Sequence, residues 1–299
     1  MTDVGAQATA GDMGGAHDGS RGETGPLVLI GAGNMGRALL AGWLAHGWSA
    51  ADITVVDPGL PAPTRELCAQ HGLQHVPAIS DVVLTGRDAA TFVVAVKPAG
   101  AIAACAAAGE LCAAQGVTGL LLSVAAGVRL ADYQSVAGAH LTCVRTMPNT
   151  PASIGAGMTA LCGPPTLTAR QKISATQLMQ AVGATAWLDA EGDLDAVTAV
   201  SGSGPGYIFH VVEALAKAGE AQGLAPELAM QLARQTVAGV GAMLASDPAD
   251  AATLRENVTS PNGTTAAGLG VLMASDGGLS ELFSSAVDAA AARSRELAG

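Results

Sequence analysis

What this chain has least of is charge. Only 13% of its 299 residues are charged, against 49% hydrophobic, and acidic residues outnumber basic ones 25 to 14. The formal charge of -11 leaves no basic patch to neutralise phosphates, which excludes a nucleic-acid partner. So little charge also leaves little polar surface to cover a monomer, and the composition points to an oligomer that hides apolar area between copies. Paired cysteines are missing as well. Cys68, Cys105, Cys112, Cys143 and Cys162 include no C-x-x-C, their number is odd and their neighbours are apolar, so they read as buried free thiols in a reducing compartment. The histidines show no ligand spacing with cysteines or carboxylates, and no metal site is expected. No uninterrupted apolar run approaches a membrane span. Residues 1–26 are glycine-rich and lack the apolar h-region of a secretory signal. They read as a disordered tail on a cytoplasmic protein with no membrane partner. Neither a G-x-S-x-G elbow nor a zinc-protease helix pattern occurs. Asp193 and Asp195 read as a helix start rather than a catalytic dyad.

What the chain does contain begins at Leu27-Val28-Leu29-Ile30, a short buried strand, followed at once by Gly31-Ala32-Gly33-Asn34-Met35-Gly36 and an apolar-spaced helix over 37–48. Strand, glycine turn and helix together hold a dinucleotide pyrophosphate. Gly31 makes the turn, Gly33 admits the phosphates, Gly36 lets helix and strand approach, and the helix N-terminus faces the anion. A lone G-x-G-x-x-G is weak evidence in a glycine-rich chain, so the second strand matters. That strand, Ile53–Val56, ends at Asp57, 21 residues beyond Gly36. A carboxylate there bonds the adenosine ribose 2'-hydroxyl and repels a 2'-phosphate. With no arginine between Asp57 and Arg65, the chemistry leans toward NADH over NADPH. The competing reading of Asp57 is a turn-initiating aspartate before proline.

Further buried strands are expected at 91–96, 119–124 and 141–147, with helices at 62–72 and 101–115 and a short helical turn within 79–86. The first strand of that series runs into Ala95-Val96-Lys97-Pro98, at the ligand-binding end of the sheet. Lys97 either touches the cofactor or caps a surface turn. Pro148-Asn149-Thr150-Pro151 is a rigid loop, either positioning the nicotinamide or purely structural. A segment at 157–162, a helix at 168–181 and a strand at 184–188 extend the sheet, and the first domain, 27–190, closes there. From 191 to 299 the pattern is helical and alanine-rich, with helices at about 206–221, 226–245 and 279–297. Two stretches stand out in this part, Ser201–Tyr207 and Glu256–Thr265, each ahead of a helix. The second offers hydroxyls and N–H groups for a carboxylate or phosphate without a basic residue. Alternatively it is a well-capped helix with Ser or Thr at the N-cap.

In order and spacing these blocks resemble the pyrroline-5-carboxylate reductase family. The resemblance rests on Ile30–Gly36, Ala95–Pro98, Ser123–Val128, Arg145–Pro151, Asp195–Thr198, Ser201–Tyr207 and Glu256–Thr265, and covers Val28 to Leu297. It implies a Rossmann-type α/β N-terminal domain and an all-α C-terminal domain that forms an intimate homodimer with interleaved helices, often assembled further into a decamer. It also implies reduction of L-1-pyrroline-5-carboxylate to L-proline by NADPH or NADH, the last step of proline biosynthesis. The active site implied lies between the nicotinamide and the loop before the 264–274 helix. There the Ser260 hydroxyl and the N–H groups of Asn262, Gly263 and Thr264 receive the substrate carboxylate, while Thr265 bonds the ring nitrogen and orients the imine. Two departures matter. Asn262 stands where the family usually has a first glycine, a site asparagine tolerates in left-handed geometry, and Gly206 replaces the usual alanine. Asp57 is a third point of tension, since many members use NADPH with Ser, Thr, Asn or Arg around that turn.

Overall fold

The computed structural model describes residues 25–84 and 86–297. Residues 1–24, most of the expected tail, lie outside the described residues, whereas the Pro26 carbonyl already accepts a hydrogen bond from the Thr91 N–H. The described chain divides into two compact units, one running to Gly202 and resuming at Ser294, the other Ser203–Arg293.

The first unit opens with β1 (Leu27–Ile30), α1 (Asn34–Ala45), β2 (Ile53–Val56), α2 (Ala62–His71) and β3 (Gln74–Val76). It continues with β4 (Ala89–Val94), α3 (Pro98–Gln115), β5 (Thr118–Ser123), α4 (Leu130–Ala137) and β6 (Leu141–Met147). Then come β7 (Gly157–Cys162), α5 (Ala169–Gln180), β8 (Gly183–Trp187) and α6 (Asp193–Val197), which runs into a π-helical turn at Thr198–Gly202. One eight-stranded sheet has the order β3-β2-β1-β4-β5-β6-β7-β8. Pairing is parallel except for β6 with β7. The first six strands therefore show the doubly wound order, whose direction reverses between β1 and β4 and opens a crevice at their carboxyl ends.

Strand residues alternate between two cores. Leu27, Leu29, Val55, Val93 and Leu122 pack with Leu39, Trp43 and Leu178 of α1 and α5. Val28, Ile30, Phe92, Val94 and Leu121 pack with Cys105, Cys112 and Tyr133 of α3 and α4. Period two explains this, since both faces of a parallel sheet are covered and every residue finds an apolar layer. The Trp43 indole N–H, fully buried, reaches the Leu178 carbonyl at 2.9 Å, which removes the cost of burying a donor.

Helix α4 and the helix at Ala251–Asn257 were not among the expected elements, and three further differences from the sequence expectation have simple causes. α1 starts at Asn34 rather than Arg37 because Gly33, extended at φ -69° and ψ -165°, serves as its N-cap. β3 went unseen because it is three residues long and its side chains Gln74 and His75 are exposed, so it carries no apolar signal. α3 begins at Pro98, three residues early, since proline suits the first helical position.

The second unit contains α7 (Gly204–Ala221), α8 (Pro226–Ser246), α9 (Ala251–Asn257), α10 (Thr264–Leu272) and most of α11 (Leu279–Leu297). The last turn of α11 belongs to the first unit, where the Ser294 hydroxyl donates to Asp195 Oδ1 at 2.6 Å.

Candidate active site

The glycine turn sits at the switch point of the sheet, between the carboxyl ends of β1 and β4. Gly31 has φ +95°, and a Cβ there would lie 2.8 Å from the Ala95 carbonyl carbon and oxygen. A Cβ on Gly36 would fall on the Gly31 carbonyl oxygen, so that glycine brings α1 against β1. Around Gly33, by contrast, a Cβ would meet nothing within 4 Å, and Gly33 and Asn34 are exposed. No side chain caps α1 and its first turn carries no acidic residue, so its N–H groups and dipole are left for an external anion. Met35 is half-buried against the α1 and α5 side of the core. These are the features a dinucleotide pyrophosphate requires, and the residues present fit it.

Ala32 is pinned on both sides. Its N–H donates to Asp57 Oδ2 at 2.9 Å, and its carbonyl accepts from the Thr64 hydroxyl at 2.8 Å. The other carboxylate oxygen, Asp57 Oδ1, accepts from the Gly59 N–H at 2.8 Å, the turn alternative raised for Asp57. Half-buried Asp57 thus both makes its own turn and fixes the glycine turn, and its charge stays beside the crevice. A cavity of about 310 Å³ opens there, lined by Gly31, Val56, Asp57, Pro77, Ile79 and Ala104 among others, none of them basic. Half-buried Ala95 and Val96 close the turn from β4, Val96 also lining the cavity. Exposed Lys97 occupies the N-cap position of α3, ahead of Pro98, and its ammonium pairs with no described residue. Thr64 had no distinguishing signal in the sequence, because its role depends on α2 folding back over the turn.

The Pro148–Pro151 loop has a structural explanation. The Asn149 amide donates to the Ser201 carbonyl and hydroxyl at 3.2 Å each, and its oxygen accepts from the Met158 N–H at 2.9 Å. It therefore ties the start of β7 to the π-helical turn. Nearby, Arg145 donates to Glu191 at 2.6 Å, and the same carboxylate oxygen accepts from the Leu130 N–H at 2.6 Å. That pairing keeps a nearly buried guanidinium neutralised. All five cysteines are free and buried, and burial alone pushes the Cys112 thiol up to about 11, so it is protonated and unreactive near neutrality.

In the second unit the loop before α10 is built around two backbone positions. Asn262 has φ +57°, the one non-glycine residue with positive φ among the described residues. Its left-handed geometry is the kind asparagine accepts. Gly263 follows, and a Cβ there would crowd the Ser260 hydroxyl, which would have to rotate away, and would approach the Ser260 carbonyl at 3.1 Å, so glycine leaves that hydroxyl where it stands. The Gly263 N–H closes a turn onto the Ser260 carbonyl at 3.0 Å. Gly263, rather than a serine or threonine, is the N-cap of α10, and no side chain caps the helix. That outcome removes the well-capped-helix alternative. Ser260, Thr264 and Thr265 are exposed, and their hydroxyls bond to no described residue. Behind the loop, the Thr259 hydroxyl donates to the Arg255 carbonyl at 2.6 Å and anchors it to α9.

Comparisons with known proteins agree with this architecture. Residues 191–297 match the family model described as pyrroline-5-carboxylate reductase dimerisation, and residues 26–127 match one described as NADP oxidoreductase, coenzyme F420-dependent. The chain is 40% identical over 272 residues to the pyrroline-5-carboxylate reductase of Pseudomonas aeruginosa, covering 91% of this chain and 96% of that one. The chain belongs to the pyrroline-5-carboxylate reductase family. A solved member from Coxiella burnetii superposes with a TM-score of 0.83 at 35% identity, over 92% of this chain and 99% of that one. The Plasmodium falciparum pyrroline carboxylate reductase, solved with NADP bound, gives 0.73 at 26% identity, over 93% and 99%. The dimerisation match covers the helices that stand open in one copy. Phe209 of α7 is 66% exposed and Val271 of α10 is 72% exposed. No described helix is long and apolar enough to cross a membrane.

Proposed function

We propose that this chain is a pyrroline-5-carboxylate reductase, reducing L-1-pyrroline-5-carboxylate to L-proline with a reduced nicotinamide dinucleotide. The observation that carries the reading is the loop at 260–265, where a left-handed Asn262 followed by Gly263 leaves an uncapped helix start beside three unpaired hydroxyls. Bound at the glycine turn, the cofactor supplies a hydride to C5 of the imine. Gly31, Gly33 and Gly36 shape that turn, Ala32, Asn34 and Met35 supply its backbone, and Ala95, Val96, Lys97 and Pro98 flank it. The protein's remaining task is to hold the imine in a reactive orientation and keep water out.

The Ser260 hydroxyl and the N–H groups of Asn262 and Thr264 receive the substrate carboxylate. Gly263, whose own N–H is engaged within the loop, serves by its missing side chain. Thr265 bonds the ring nitrogen. A hydroxyl is a poor acid, so the Thr265 role is to orient the imine rather than to protonate it. NADH is the preferred cofactor in this reading, in contrast to the NADP held by the Plasmodium relative. Support comes from the Asp57 carboxylate at the crevice and from the absence of any basic residue in the cavity lining. Two copies pair through interleaved helical units, with further assembly up to the decamer that the resemblance implies. Five buried free thiols support a cytoplasmic setting.

Steady-state kinetics of Thr265→Ala test the site. The variant should lose about 10–100-fold in kcat/KM for the imine, roughly 1.4–2.7 kcal/mol of transition-state stabilisation. An unchanged kcat/KM would remove Thr265 from the site.

A further inference from the structure

We propose that His75 is a positioning residue for cofactor selection, acting through Asp57. The inference rests on the reading of Asp57 as the carboxylate that favours NADH. Every polar group of Asp57 is bonded. Its N–H donates to the Val76 carbonyl at 3.2 Å, its Oδ1 accepts from Gly59 and its Oδ2 from Ala32. The remaining group, its carbonyl oxygen, accepts from His75 Nε2 at 2.8 Å. A carbonyl can only accept, so the ring carries its proton on Nε2 in this pairing.

The reason a side chain is needed lies in the strand register. β2 and β3 run parallel with Val55 opposite His75 and Val56 opposite Val76. Continued parallel pairing would offer the Asp57 carbonyl a backbone N–H from residue 78. β3 instead ends at Val76, and Pro77 turns the chain into the lining of the cavity. The His75 ring replaces the missing ladder bond. Of the four bonds that hold Asp57, three use backbone partners that substitution leaves in place, and His75 alone is a side chain. Without it the Asp57 carbonyl loses its partner, and the aim of the carboxylate at the ribose position rests on the Ala32 and Gly59 N–H bonds alone. Discrimination between a 2'-hydroxyl and a 2'-phosphate then weakens, because repulsion depends on how near the charge is held.

The test compares wild type, His75→Ala and His75→Gln in the same imine-reduction assay, with NADH and NADPH titrated separately. For His75→Ala, the NADH KM should rise about 3–10-fold, the effect of one hydrogen bond, with the change falling on KM rather than kcat. The NADPH KM should move less, so the preference for NADH narrows. Glutamine can donate to the same carbonyl and should restore most of the preference. His75 is exposed, and the thermal midpoint should stay at the wild-type value. If alanine does lower that midpoint, His75→Phe keeps a ring on β3 without the donor and must narrow the preference in the same way. An unchanged NADH-to-NADPH ratio in His75→Ala, or an equal loss with both cofactors, would overturn the role of His75 while leaving Asp57 standing. A wild type that prefers NADPH would overturn the Asp57 reading itself, and this role with it.

Discussion

The sheet unit and the helical unit solve the problem of an apolar chain in opposite ways. In the first, Trp43, Phe92, Tyr133 and a series of leucines are fully buried on the two faces of the sheet. In the second, among the described residues, the buried apolar side chains are four alanines, at 216, 229, 233 and 291. Helices α9 and α10 bury none of their residues, and Phe209, Leu282 and Met273 are exposed. A single copy therefore completes the first unit and leaves the second without a core of large side chains. The dimerisation match over 191–297 gives the missing half, a second copy. The cavity beside Asp57 follows the same division, since every residue lining it belongs to the first unit.

The largest expected effects fall on that contrast. Phe92→Ala removes a fully buried ring between β4 and α3 and should cost about 3–5 kcal/mol, read as a lower thermal or denaturant midpoint with the oligomer intact. Phe209→Asp replaces an exposed ring, which in an isolated chain would be nearly neutral. Covered by a second copy, an uncompensated carboxylate costs about 3 kcal/mol or more, over roughly 100-fold in the dimer constant. Light scattering should then report a monomer at concentrations where wild type is dimeric. A variant that stays fully dimeric would place Phe209 outside the interface. At the small end, Gly206→Ala should raise stability by about 0.5–1 kcal/mol, because Gly206 lies within α7 and a Cβ there meets nothing within 4 Å in one copy. A loss of stability in chemical denaturation would instead reveal a close approach by the second copy.

The parts of this molecule that were legible in the sequence are those carried by local pattern. β6 was expected at Leu141–Met147 and is found there, because a continuous apolar run bounded by turn residues marks a buried strand. The helices α7, α8 and α11 lie within a few residues of the expected 206–221, 226–245 and 279–297, since alanine-rich composition favours helix, whereas the seven-residue α9 was not expected. The glycine turn was readable because backbone geometry demands glycine at 31 and 36 whatever surrounds it. Contacts between distant segments were not readable. Thr64 on Ala32, Asn149 on Ser201 and His75 on Asp57 are ordinary residues until the fold brings their partners near. The helix start at α10 was half legible. Hydroxyl-rich composition pointed to a carboxylate or phosphate cradle with a serine or threonine cap as the alternative, and the cap is Gly263 with no side chain bonded to the helix start. Composition alone could not separate a capping hydroxyl from an unpaired one.

The central claim is that this chain reduces a cyclic imine. It is tested most directly by the near-ultraviolet absorbance of the reduced nicotinamide, followed with the full-length wild-type protein and L-1-pyrroline-5-carboxylate. Enzyme-dependent loss of that absorbance with stoichiometric appearance of proline, faster with NADH than with NADPH at equal low concentrations, is the result predicted. No oxidation of either cofactor with this or any other cyclic imine would contradict the account.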